Sequence, residues 1–100
     1  MGFLIWEETD MDDELQKQRN KIDKIDEELV NLLLSRIKLA DRIGRIKKQF
    51  GIPVTDPERE KYVLSKTHGV NLEYRQQVQR IFRQIIRECS LVQENSREGR

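Results

Sequence analysis

From Asp12 to Phe50 the chain runs for 39 residues without a proline, and that stretch limits what everything else can do. Its apolar side chains fall at Leu15, Ile22, Ile25, Leu29, Leu32, Leu39, Ile43, Ile46 and Phe50. The spacings are three, four or their sum of seven, the heptad pattern of a helix packed against another helix. The one internal glycine, Gly44, costs about 1 kcal/mol and does not end the helix. Such a helix would be roughly 57 Å long, whereas a compact monomer of this size has a radius of gyration of about 13 Å. The stripe therefore calls for a second copy of the chain. The expected architecture is all-α, with one very long helix, one short and one medium, in an intertwined helical dimer.

Arg36 breaks the stripe, standing where the pattern asks for Leu or Ile. A buried cation weakens a fold unless it is partnered. One reading makes Arg36 a register-setting residue paired with a carboxylate across the dimer. The other makes it part of an anion site. Lys47 lies eleven residues on, about 20° around the helix and roughly 16 Å along it. Two long side chains reaching towards each other from that spacing leave room for a small dianion.

Composition narrows the partners. Charged residues are 37% of the chain, but 19 Lys plus Arg nearly cancel 18 Asp plus Glu. That balance argues against non-specific nucleic-acid binding, which needs a basic excess, while leaving room for a local basic pocket. With Cys89 the sole cysteine, no intrachain disulfide can form, and a reducing compartment is expected. The apolar start Gly2–Trp6 is too short for a signal core, lacks a basic lead, and runs into Glu7, Glu8 and Asp10. No stretch is long enough to cross a bilayer. A soluble cytoplasmic protein is expected, with no membrane partner and no nucleic-acid partner.

Residues 1–11 read as an appendage, in which Phe3 and Trp6 either dock on a neighbouring surface or stay mobile. Met11 is an alternative start. Residues 12–94 form the helical domain and 95–100 a polar, frayed tail. Asp12 or Asp13 is the expected cap of the long helix. Phe50-Gly51-Ile52-Pro53 ends it, with glycine for a left-handed position and proline soon after. The second helix opens at Thr55-Asp56-Pro57-Glu58, either through a Thr55/Glu58 capping box or with Asp56 as cap and Pro57 in the first turn. It ends near His68-Gly69. The third runs from Asn71 or Leu72 to about Gln93, with a stripe of Tyr74, Val78, Ile81, Phe82, Ile85, Ile86, Cys89 and Val92.

Few residues suggest side-chain chemistry of the usual kinds. His68 and Cys89 have no ligand-like spacing, so no metal is expected. His68 reads as a helix-end residue and Cys89 as core. There is no glycine-rich phosphate loop, and one histidine gives no catalytic triad. Cations and amides on the helices remain. Arg19 precedes Arg36 by 17 residues, roughly 25 Å along the rod, and precedes Lys47 by roughly 42 Å. It cannot share a pocket with Lys47 of its own chain. In an antiparallel dimer, however, Arg19 of a second subunit could reach the first subunit's site. Otherwise it is a solvated helix charge.

These residues resemble the all-helical chorismate mutase family. The likeness covers Leu15 to Gln93, about four-fifths of the chain. It includes Arg19, then Asp26-Glu27 and a leucine-rich run to Arg36, then Lys47. Gly51-Ile52-Pro53-Val54-Thr55-Asp56-Pro57-Glu58-Arg59-Glu60 is its most specific part, and Ile85 through Gln93 closes it. The resemblance implies a Claisen rearrangement of chorismate to prephenate inside a homodimer, without a cofactor. Arg36 and Arg19 of the partner subunit would bind the substrate's two carboxylates, and Lys47 and Gln93 would contact the ether oxygen. Glu60 and the backbone near Asp56 would hold the ring hydroxyl, with Arg59 lining the site. Family members often carry serine near a carboxylate where this chain has Cys89. Ser90 is adjacent, but about 100° round the helix, and a thiol is the poorer donor.

Other readings use the same features differently. Isochorismate pyruvate lyase shares the helical scaffold and cationic pocket and takes a similar dianion. A non-catalytic helical interaction or regulatory module would explain the heptads but not the co-occurrence of Arg19, Arg36, Lys47, Glu60 and Gln93. Helix-turn-helix DNA binding lacks a basic recognition helix, since Glu73 and Glu88 flank Arg75, Arg80, Arg83 and Arg87.

Overall fold

A computed structural model describes residues 8–97, with side chains from 10 to 96. The expectations for Phe3 and Trp6 fall outside the described residues. Those residues form three α-helices, α1 (Glu8–Phe50), α2 (Pro57–Ser65) and α3 (Leu72–Arg97), with one 3-10 turn, Lys66–Gly69, between the last two. Among the described residues there is no strand, and no helix is long and apolar enough to cross a membrane.

Both outer helices exceed the lengths expected from sequence. Asp12 and Asp13 lie inside α1 and do not cap it. Helix α3 passes Gln93 and runs to Arg97. Ser96, expected in a frayed tail, is 2% exposed and bonded to Asp41. An apolar periodicity cannot reveal that extension, because the residue that holds it is a serine.

The chain divides into two compact units, Met1–Leu34 and Ser35–Arg100. In the first, the described residues are a single run of α1. None of the side chains from Asp10 to Leu34 is buried, and only Leu33 is half-buried.

The second unit holds the buried side chains. Its largest apolar residues on α1 are not among them: Leu39, Ile43, Ile46 and Phe50 are all exposed. The inward face instead carries Arg36, Ala40, Gly44 and Lys47, at helical spacings of four, four and three. Small residues on this face let α1 approach α3 closely. Arg36 therefore lies beside the Leu/Ile stripe, on the face that meets α3. On α3 the stripe is narrower than expected. Val78, Phe82, Ile85, Ile86 and Val92 are half-buried and Cys89 is buried, while Tyr74 and Ile81 point to solvent. Val54 and Val63 complete the small core.

The connections are fixed by backbone chemistry. Gly51 adopts φ 67°, and the Ile52 and Gly51 amides donate to the Lys47 and Lys48 carbonyls at 2.8 and 3.3 Å. This is the glycine-based helix stop the sequence suggested. Asp56 caps α2, its carboxylate accepting from the Arg59 amide at 3.0 Å with Pro57 in the first turn, so the second of the two capping alternatives is the one formed. Between α2 and α3, the Arg75 guanidinium donates to the carbonyls of His68 and Val70. Gln79 donates to the buried Thr67 hydroxyl at 3.0 Å, and the Asn71 side chain accepts from the Glu73 amide at the start of α3.

Candidate active site

All the side chains that follow belong to the second unit, Ser35–Arg100. The Arg36–Lys47 face of α1, the first turn of α2 and the Ile86–Gln93 face of α3 line a partly open pocket with a cavity volume of about 80 Å³. Seven of the eight residues singled out from sequence line it: Arg36, Lys47, Asp56, Arg59, Glu60, Cys89 and Gln93. The eighth, Arg19, lies in the first unit on the exposed run of α1 and is not among the lining residues.

Lys47 is the most constrained cation of the pocket. It sits in the last turn of α1, where the helix dipole favours positive charge. Its ammonium donates to the Val54 carbonyl and to Gln93 Oε1, each at 2.9 Å. The Gly51 turn makes the first bond possible by folding the chain back so that Val54 lies under the side chain. The second bond orients the Gln93 amide. With Oε1 facing the lysine, the Nε2 donors point elsewhere, and one of the three ammonium protons also remains unspent. Two neutralising donors thus sit side by side in a half-buried place.

Arg36 is half-buried, and its Nη1 donates to Cys89 Sγ at 3.0 Å, with the guanidinium carbon 5.9 Å from the Phe82 ring centroid. Its planar fork is well matched to a carboxylate. Arg59 projects from the first turn of α2, where its guanidinium carbon lies 5.1 Å from the Tyr62 ring centroid. Asp56 is committed to capping, which fixes the backbone that carries Arg59 and Glu60.

Four lining residues escaped the sequence reading: Val54, Val63, Ile86 and Ser90. Ile86 could have been found as the turn before Cys89 and Gln93. Val54 could not, because it contributes through its carbonyl. Ser90, about 100° round the helix from Cys89, lines the pocket as well. Cys89 faces α1, where it accepts from Arg36. Ser90 faces α2 and also lines an adjoining groove with Thr55, Glu60 and Leu64. The pocket is wide enough to take both.

The described fold is all-helical, and its pocket brings together the cations Arg36, Lys47 and Arg59 and the oriented Gln93 amide. A family model described as chorismate mutase type II matches residues 18–94, and the chain belongs to that family. Among curated relatives, the chorismate mutase of Methanocaldococcus jannaschii is 43% identical over 67 residues, 61% of this chain and 68% of that protein. The bifunctional chorismate mutase/prephenate dehydratase of Aquifex aeolicus is 40% identical over 83 residues, 77% of this chain but only 23% of that protein. The T-protein of Haemophilus influenzae is 41% identical over 46 residues, 46% of this chain and 12% of that protein. The chain thus spans less than a quarter of the two-function relative. No solved structure is significantly similar to it.

Proposed function

We propose that the chain is a chorismate mutase, converting chorismate to prephenate by a Claisen rearrangement. The observation that carries this reading is the Lys47–Gln93 pair, two polarising groups held together at 2.9 Å in a pocket that also contains Arg36 and Arg59. A pericyclic shift requires no nucleophile and no proton transfer. It requires the substrate folded so that the carbons about to bond are close, which is catalysis by orientation. Arg36 binds one carboxylate of the dianion through its fork. Negative charge grows on the ether oxygen as its bond to carbon breaks. Lys47 and the Gln93 amide, aimed at that oxygen, stabilise the transition state more than the ground state. Glu60 accepts the ring hydroxyl, the backbone near Asp56 helps hold it, and Arg59 closes the site. Cys89 borders the carboxylate as an acceptor for Arg36.

The second carboxylate is bound by Arg19 of the partner subunit in a homodimer. The support is the uncovered stripe on α1. Leu15, Ile22, Ile25, Leu29, Leu32, Leu39, Ile43 and Ile46 remain between 44% and 67% exposed in the single chain. So much exposed apolar surface is an interaction face.

Incubating purified protein with chorismate and with isochorismate, and assaying for prephenate or for salicylate plus pyruvate, tests the reaction. Prephenate from chorismate is expected. Salicylate and pyruvate would reassign the chain to lyase chemistry, and silence with both substrates would leave a helical interaction module. Mixing Arg19→Ala and Lys47→Ala proteins, each strongly impaired alone, tests the sharing. Random reassortment gives half the dimers one intact site of two, so about a quarter of wild-type turnover should return.

A further inference from the structure

We infer that Gly44 is a positioning residue for the reaction: it sets the approach of α1 to α3 that brings Lys47 to Gln93. This rests on the mutase reading above and adds a residue that touches neither substrate nor reacting atoms. A Cβ built on Gly44 would lie 2.7 Å from Gln93 Cα, 2.7 Å from the Gln93 carbonyl oxygen and 3.0 Å from Ser96 Cβ. Two of the three obstructing atoms are backbone, so no rotamer change makes room. The helices must separate.

The residue held at that crossing is Gln93 itself. Lys47 stands one turn on from Gly44, on the same face of α1, and spans the remaining gap with a 2.9 Å bond. Relieving a 2.7 Å approach to the 3.4 Å of ordinary contact needs about 0.7 Å. Added to the lysine–amide bond, that displacement passes the limit of a useful hydrogen bond. A second fastening lies one turn further along α3, where the buried Ser96 hydroxyl donates to Asp41 Oδ1. Asp41 is also paired with Arg45 at 3.3 Å. Gly44 permits the close approach and the Asp41–Ser96 bond holds it.

The test is Gly44→Ala in the full chain, assayed for prephenate formation beside wild type. A device that aligns transition-state donors predicts kcat lowered by about tenfold or more, with KM within about twofold. A general loosening would instead raise KM or reduce the number of active sites without this split. The same substitution is then made on Gln93→Ala. If Gly44 acts through the amide, it should change kcat of that protein by less than about twofold. Ser96→Ala adds no atoms and serves where Gly44→Ala does not fold, with a smaller kcat loss that also vanishes on Gln93→Ala. Wild-type kcat in Gly44→Ala overturns the inference, as do equal losses in both backgrounds for whichever variant folds. A wild-type protein that makes no prephenate sinks the mutase reading instead.

Discussion

The two units of the chain use the same helix for different ends. In Met1–Leu34 the helix turns large apolar residues outward, and not one described side chain is buried. In Ser35–Arg100 the Leu/Ile stripe continues equally exposed, but another face, Arg36–Ala40–Gly44–Lys47, packs inward and lines a pocket. A heptad pattern therefore located the face of α1 that this chain leaves uncovered. The face that meets its own α3 is written in small and cationic residues. Hydrophobicity alone would have placed the core on the wrong side of the helix.

Substitutions in each unit can break or sharpen that contrast. Lys47→Ala should have the largest effect, raising the barrier by about 3–4 kcal/mol, the usual loss for a donor aimed at developing charge. Prephenate assays and circular dichroism should show turnover lowered by orders of magnitude on an unchanged helical fold, and unaltered turnover would remove Lys47 from the mechanism. Leu29→Ala asks whether the outward stripe is covered. On a surface the change stays within about 0.5 kcal/mol, whereas in an interface between copies it should cost about 2–3 kcal/mol. Melting curves at several protein concentrations separate the outcomes, because an assembly melts higher when concentrated. Arg19→Ala should weaken kcat/KM by about 2 kcal/mol, the scale of a hydrogen bond to a charged group, without changing the melting temperature appreciably. A drop in stability with normal kinetics would make Arg19 structural. Asp56→Ala should have the smallest effect, about 1 kcal/mol of stability from the lost cap, read in a urea titration.

The fold was legible where local chemistry forces it. Gly51 with Pro53, Asp56 with Pro57 and Asn71 before Leu72 marked helix ends that the backbone bonds bear out. The pocket was legible because its side chains carry charge or an amide at spacings fixed by helix geometry. What stayed hidden depends on close approach between helices. Nothing in the sequence marks Gly44 as the residue facing the Gln93 backbone, or Ser96 as buried. Gly44 read as a tolerated weakness in a helix, and Ser96 as part of a polar tail. Both act through distances between segments some fifty residues apart, which no local pattern encodes.

If Arg36 binds a substrate carboxylate as proposed, its bond to Cys89 has a consequence for how that anion would enter. Sulfur is a weak acceptor, so the guanidinium is kept aimed at the cavity while losing little when oxygen replaces it. On the proposed function, an arriving carboxylate would find its counter-ion already extended and only loosely moored. A stronger tether at that position, such as a second carboxylate, would have to be broken before each encounter.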